Sequence, residues 1–335
     1  MVDVGLGQLA TTTGKARSYK LKDAARDAHP LLQLAEDHGG VRRVDGGESI
    51  VEEAKSGQNS SVTWVGESGQ VSVGDTKVLD SLDYPWKYIL GSVTWTRAEQ
   101  LKNSGGKNTK YIDLVGGKYE VLEDTMLNKF HEGLLSNGTG YSGLQLMGIA
   151  GLISTTPNSG TRGGIDMSNA NAAWARNTKF DSSSDWALGS PTAATIKLFL
   201  DGMIDPTMKF SKVQQQAGIL GQTLYGYLNQ ATQAMQVIQN VNTDAKVGFD
   251  RIFYRGIPMY QGGGINYSGS TQLSTTRAYL FNLKPGGFNI VYHKEAEFDL
   301  LEPVNSQDQA SVTRLMFTMC AATLGALGKS CAVGF

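Results

Sequence analysis

Hydrophobic positions divide the chain into stretches with different periods. Between Asn108 and Leu135 the apolar residues Ile112, Val115, Tyr119, Leu122, Met126, Phe130 and Leu134 recur at steps of three and four, which predicts one long amphipathic helix. At 1.5 Å per residue it would be a rod of roughly 40 Å. Gly116-Gly117 invites a bend within it, and Asn137-Gly138 supplies a stop. A shorter helical face, Ile196, Phe199, Leu200, Met203 and Ile204, follows Ser190 as N-cap and Pro191 at the first helical position, and ends at Asp205-Pro206. Gln222 to Gln239 also reads as helix, and Ala16 to His38 as a helical arm interrupted at His29-Pro30.

Glu48 to Thr96 carries a different pattern. Ile50-Val51, Val62 to Val65 and Val71 to Val73 alternate with polar residues, and Tyr84 to Trp95 forms a second extended run. The middle of this segment is rich in Gly, Ser, Asn and Asp and too poor in apolar residues for a core of its own. It predicts a projecting two-stranded loop that needs a neighbour to lie upon. Further strands are predicted at Phe249 to Tyr260, with a break at Gly256-Ile257-Pro258, and at Arg277 to Leu283, Phe288 to His293 and Ser311 to Met319. Helices and strands do not alternate as βαβ units, so the fold class is α+β.

Composition narrows the function classes. At 335 residues the chain can bury about 75% of its unfolded surface, so it needs no covalent staples. Thirty basic and 31 acidic residues give a net charge of −1, which provides no global field toward nucleic acid or anionic membrane. Cys320 and Cys331 lie in an apolar tail with no histidine at ligand spacing and read as reduced, buried thiols. The first residues lack the basic start and apolar core of a secretion signal, and no run of about 18 apolar residues occurs, so folding in cytosol without a membrane span is expected. Paired glycines such as Gly46-Gly47, Gly163-Gly164 and Gly286-Gly287 mark turns throughout.

Candidate chemistry is sparse. His29, His38, His131 and His293 are scattered in unlike contexts, and Glu52-Glu53 and Glu123-Asp124 read as solvated faces. Gly328-Lys329-Ser330 lacks the upstream glycine of a phosphate loop, since Thr323 stands there. No catalytic residue, metal ligand set or cofactor site is expected. The most distinctive run is Gly163 to Asn177, GGIDMSNANAAWARN. Its glycines suit positive φ, its Asp, Ser and Asn side chains suit backbone caps, and Trp174 is a large apolar anchor; none is a nucleophile or base.

The order GGID, polar spacer, then Trp174, Arg176 and Asn177 resembles the major capsid proteins of tailed bacteriophages, a fold shared with encapsulins. Val44 to Glu52 resembles that family's approach to its extended loop, Trp86 with Val93 and Arg97 to Gly105 its return, Phe249 to Pro258 its β element, and Tyr279 to Asn282 its penultimate strand. The resemblance implies an N-terminal arm (1–45), an extended β-loop (46–92), a peripheral domain with a spine helix (93–139, helix 108–135), an axial domain (140–290) and returning C-terminal strands (291–335). It also implies a non-enzymatic shell subunit of a virion, assembled in the host bacterial cytoplasm into pentamers and hexamers around double-stranded DNA. Scaffolding, portal and decoration proteins are the partners such a subunit can have. Candidate assembly and packing residues are Glu52, Glu53 and Lys55, as charges facing a neighbour, with Trp64, Trp86, Trp174, Arg176 and Asn177. The alternatives are an encapsulin-like compartment shell and, from a different class, a soluble enzyme or carbohydrate-binding module that would remain monomeric.

Overall fold

The computed structural model describes residues 30–59, 61–70, 74, 78–103, 114–186, 189–209, 212–233, 251–262, 273–284, 286–305, 310–325 and 330–335. Within the expected arm, helix α1 (Pro30–Asp37) buries Leu31, Leu32, Leu34 and Ala35, and strand β1 (Val41–Val44) follows it. The helical expectation for residues 16–29 lies outside the described residues. Strands β2 (Ser49–Lys55) and β3 (Leu79–Pro85) form a hairpin, and β4 (Lys87–Thr96) continues into α2 (Arg97–Asn103). The long helix is α3 (Leu114–Leu135), 22 residues or about 33 Å, and it runs through Gly116-Gly117 without interruption. Its expected first turn, 108–113, lies outside the described residues.

Beyond it come α4 (Ile149–Leu152), the two-residue strands β5 (Thr161–Arg162) and β6 (Ile165–Asp166), β7 (Thr178–Phe180), α5 (Ile196–Ile204), β8 (Ala217–Leu220) and α6 (Gln222–Gln233). Strands β9 (Arg251–Tyr254), β10 (Ile257–Gln261), β11 (Ala278–Phe281), β12 (Phe288–His293), β13 (Asp299–Leu300), β14 (Val304–Asn305), β15 (Ser311–Leu324) and β16 (Ala332–Gly334) complete the chain.

The first sheet is organised by β15. One edge pairs antiparallel with β4, from Ser311↔Thr96 to Cys320↔Lys87, while the other takes β14, β13 and β12 in turn, and β1 adds in parallel outside β12. β15 outruns the expected 311–319 because Cys320 to Leu324 continue the ladder along β12. Helix α3 lies on the face of β4 that carries Gly91, Val93 and Trp95, with Trp95 and Tyr119 ring centroids 5.7 Å apart. Gly91 permits that approach: a Cβ there would stand 2.5 Å from Leu122 Cδ1. Farther along α3, Phe130 meets Phe298 edge-on at 5.6 Å.

The second sheet has the order β7-β16-β11-β8-β10-β9, and its central strands β16, β11 and β8 are buried on both faces. Leu220, Met259, Ala278, Leu280 and Ala332 meet Phe199, Leu200, Met203, Leu224 and Leu228 of α5 and α6. The alternate residues Ala217, Ile219, Tyr260, Tyr279, Phe281 and Val333 join the larger core shared with α3 and the first sheet. Two-sided burial is why these strands read as continuous apolar runs.

Other boundaries also differ from expectation. Helix α5 starts at Ile196, not Pro191, because Thr192 N–H bonds Thr195 Oγ1 and Thr195 N–H bonds Thr192 carbonyl, closing a separate turn first. The break near residue 256 is a two-residue turn of Arg255 and Gly256, at φ 50° and 80°, so Ile257 and Pro258 belong to β10. Pro258 is tolerated there because β10 gains its second neighbour, β8, only from Met259 onward. Val62 to Val65, expected to extend a strand, lies in no ladder, and Val71 to Val73 lies outside the described residues.

Candidate assembly interface

The β2–β3 hairpin is two-stranded, paired from Ser49↔Pro85 to Lys55↔Leu79. Its root is fixed to the body by side chains of both strands. Ile50, Glu52, Ala54, Leu82 and Tyr84 face inward and are buried, and Tyr84 hydroxyl donates to Leu324 carbonyl at 2.7 Å. Trp86, just past the hairpin, is buried and its Nε1–H donates to Gly47 carbonyl at 3.0 Å. Asp83 N–H donates to Gly163 carbonyl at 2.9 Å, which ties the hairpin to the distinctive glycine pair.

Parity along β2 separates the three charges proposed to face a neighbour. Glu53 and Lys55 point to solvent. Glu52 does not: it is 6% exposed, pairs with Arg42 of β1, and its Oε1 accepts a 2.9 Å bond from Thr323 Oγ1 of β15. Its place as a charge set against another subunit is therefore corrected to an anchor within its own chain. Beyond the paired strands the tip is polar, with Asn59 Oδ1 accepting from Ser61 N–H and Oγ, but it carries Val62, Trp64 and Val65 in the open. Trp64 has no cover at all, at 101% relative exposure.

The glycine pair opens the turn between β5 and β6. Gly163 and Gly164 have φ of 53° and 75°, and Gly163 presses against Leu82 of the hairpin. Asp166 then accepts 2.9 Å bonds from Ser168 N–H and Oγ, which lower its pKa, and Asn169 Oδ1 accepts from Asn171 N–H at 3.0 Å. Trp174 is half-buried against the larger core, not fully enclosed. Arg176 donates to the carbonyls of Met167 and Asn169 at 3.0 and 2.9 Å. Asn177 is buried; its Oδ1 accepts from Ser154 N–H at 3.1 Å and its Nδ2 donates to the carbonyls of Ser154 and Thr178 at 3.0 Å.

Sequence reasoning passed over Arg162, which is the hub of this junction. Buried at 4% exposure, it donates to Asn177 Oδ1 and Leu152 carbonyl at 2.8 Å and to Pro157 carbonyl at 2.6 Å. Burial lowers its pKa, and three acceptors on two sides hold the guanidinium in place. A lone arginine before two glycines carries no signal in sequence that it will be internal.

Among the described residues no three His, Cys, Asp or Glu side chains gather as a metal set, and no helix is long and apolar enough to cross a membrane. Cys320 and Cys331 are buried and unpaired with each other.

No protein-family model matches the chain, and no curated protein matches its sequence. Solved folds do. A chain of the cyanophage A-1(L) capsid superposes with a TM-score of 0.64 at 14% identity, covering 91% of each chain. A capsid chain of the native GTA particle gives 0.53 at 11% identity, over 90% of this chain and 89% of that one. The holo-SrpI encapsulin complex of Synechococcus elongatus PCC 7942 gives 0.50 at 10% identity, over 88% and 83%. The chain has the α+β fold of tailed-phage capsid and encapsulin shell proteins.

Proposed function

We propose that the chain is a structural, non-enzymatic shell subunit, the major capsid protein of a tailed-phage head that self-assembles into pentamers and hexamers around double-stranded DNA. The observation that carries this reading is the agreement with the cyanophage A-1(L) capsid chain over 91% of both chains. The hairpin supports it independently. An arm that spends seven paired residues per strand to hold a bare tryptophan in water is costly for a monomer and useful for a subunit that buries it against another copy. Residues 1–45 serve as the arm, 46–92 as the extended loop, 93–139 as the peripheral domain, 140–290 as the axial domain around the capsomer centre, and 291–335 as returning strands.

Near-neutral net charge fits sparse, sequence-blind contacts with the packaged DNA. Scaffolding, portal and decoration proteins would meet the assembled lattice in the host cytoplasm. The encapsulin match favours one second reading, a compartment shell enclosing proteins. Size-exclusion chromatography followed by negative-stain imaging tests the shell: capsomers or particles are expected, and a stable monomer at micromolar concentration refutes it. Particles from the native source that hold nuclease-protected DNA identify a head; particles that hold cargo protein identify a compartment.

A further inference from the structure

Strand β1 lies at the edge of the first sheet and pairs, among the described residues, with β12 alone. None of its four residues is fully buried, so apolar contact holds it weakly. Charge holds it instead. Successive side chains of a strand point to opposite faces, and Arg42 and Arg43 each grip a buried carboxylate of a different element. Arg42 pairs with Glu52 of the hairpin. Arg43 Nε and Nη2 donate to Glu297 Oε2 and Oε1 at 2.8 and 2.9 Å, and Nη2 also stands 3.5 Å from Glu36 Oε1 of α1. Glu297 is 7% exposed, so this two-pronged fork meets a carboxylate that has little water around it.

The next residue is strained. Phe298 has φ of 49°, in the left-handed region that a bulky side chain enters only under constraint. Tyr141, Ser142 and Arg255 share that region but lie in exposed turns, whereas Phe298 is fully buried. Three elements supply the constraint. The main chain of Ala296 is tied to β12 and β15, donating to His293 carbonyl at 3.2 Å and accepting from Met319 N–H at 2.8 Å. The side chain of Glu297 is tied to β1 by Arg43. The ring of Phe298 meets Phe130 of α3 edge-on at 5.6 Å, and Tyr292 of β12 lies 5.7 Å from the same Phe130 ring. Phe130 is itself enclosed, so in a close-packed core the Phe298 ring cannot swing away without disturbing α3.

We propose that β1 is a releasable strap: Arg43, acting through Glu297, keeps Phe298 in its strained conformation and so holds the C-terminal half of α3 against the first sheet. When β1 lifts, Glu297 loses the fork and Phe298 relaxes to an unstrained backbone. Phe130 and the last turns of α3 then loosen with it. The coupling lies within one chain and is independent of whether the chain builds a shell. It gives one sequence two settings of its longest helix, chosen by whether an edge strand is docked.

Hydrogen exchange of the full, unassembled chain, read by mass spectrometry, tests the strap. Arg43→Gln should speed exchange roughly tenfold or more in peptides covering 294–301 and 126–135 together, while peptides covering 217–220 and 278–281 in the second sheet keep their wild-type rates. Arg43→Lys, which keeps the charge but not the fork, should fall between, and it carries the same comparison if Arg43→Gln fails to fold. Arg42→Gln is the contrast: it should loosen 49–55 and leave 126–135 unchanged. A rise confined to 294–301, an equal rise in the second sheet, or an Arg42→Gln effect on 126–135 as large as that of Arg43→Gln overturns the proposal. A double-variant cycle supplies a second readout. Arg43 and Phe130 lie in different elements, yet Arg43→Gln and Phe130→Leu combined should lower the urea midpoint by less than the sum of the single changes, because either one already frees Phe298. Strict additivity overturns the strap.

Discussion

The hydroxyl of Thr323 donates to the carboxylate of Glu52 at 2.9 Å, a bond between residues 271 positions apart that fastens the hairpin root to the end of the longest strand. Glu52 also pairs with Arg42, so one buried carboxylate joins β1, β2 and β15. Removing it strands a guanidinium and a hydroxyl that now share it. Because Arg42 keeps 38% of its side chain in solvent, Glu52→Ala should cost about 1–3 kcal/mol, below the full penalty for breaking a buried pair. Glu52→Gln, which keeps an acceptor for Thr323, should cost less than Glu52→Ala. Urea unfolding of the dissociated subunit measures both, and equal losses would argue that the bond to Thr323 contributes nothing.

The adjacent glycines at 163 and 164 should respond differently to alanine. Both need positive φ, which costs roughly 1–2 kcal/mol with a side chain. At Gly163 a Cβ would also stand 2.8 Å from Leu82 Cβ, whereas at Gly164 the nearest contact is Asp83 Cβ at 3.9 Å. Gly163→Ala should therefore lower the unfolding midpoint more than Gly164→Ala and loosen the hairpin root. Limited proteolysis between residues 56 and 78 reads the second effect.

Arg162 and Asn177 form a coupled pair inside the junction. Asn177→Ala withdraws an acceptor from a buried guanidinium, and Arg162→Lys cannot reach acceptors on several sides at once; each should cost about 1–3 kcal/mol. Since both changes break the same 2.8 Å bond, the double variant should cost less than the sum. Strict additivity in a denaturant series would contradict the shared network.

The legible parts of this chain were those where one local rule decides. Helix α3 was visible because seven apolar residues keep step on one face, and the hairpin because a polar alternating run cannot bury itself. The α+β class followed from helix and strand runs that do not alternate as βαβ units, and the capsid resemblance from motifs kept in order along the chain. The inward turn of Glu52 was not legible: Glu52 and Glu53 are identical in type, and only strand register decides which faces the core. Arg162 was missed because its acceptors come from Leu152, Pro157 and Asn177, which adjoin it only after folding. Trp174 was expected to be a large apolar anchor, in the core or at a subunit interface; in the chain alone it is half-buried against the core, so its truncation should cost less than the ~3–5 kcal/mol of an enclosed tryptophan.

Alkaline pH should weaken the subunit through its buried acids. Burial pushes the Cys320 and Cys331 thiols from 9.0 up to about 12, and the Tyr84 hydroxyl from 10.0 to about 12. These groups are neutral when protonated, so the folded chain keeps protons that the unfolded chain has begun to release. Below about pH 9 both states hold them and stability is full. As pH rises from about 9 toward 12 the unfolded state is increasingly favoured, and the stabilisation is lost. Urea midpoints measured from pH 7 to 11 should be flat at first and then fall. A variant with Cys320→Ala and Cys331→Ala should start from a lower midpoint but decline less steeply above pH 9, because two of the buried acids no longer titrate. In the folded wild type neither thiol should react with an alkylating reagent at pH 8, and both should react once urea unfolds the chain; rapid labelling of the native subunit would contradict their burial.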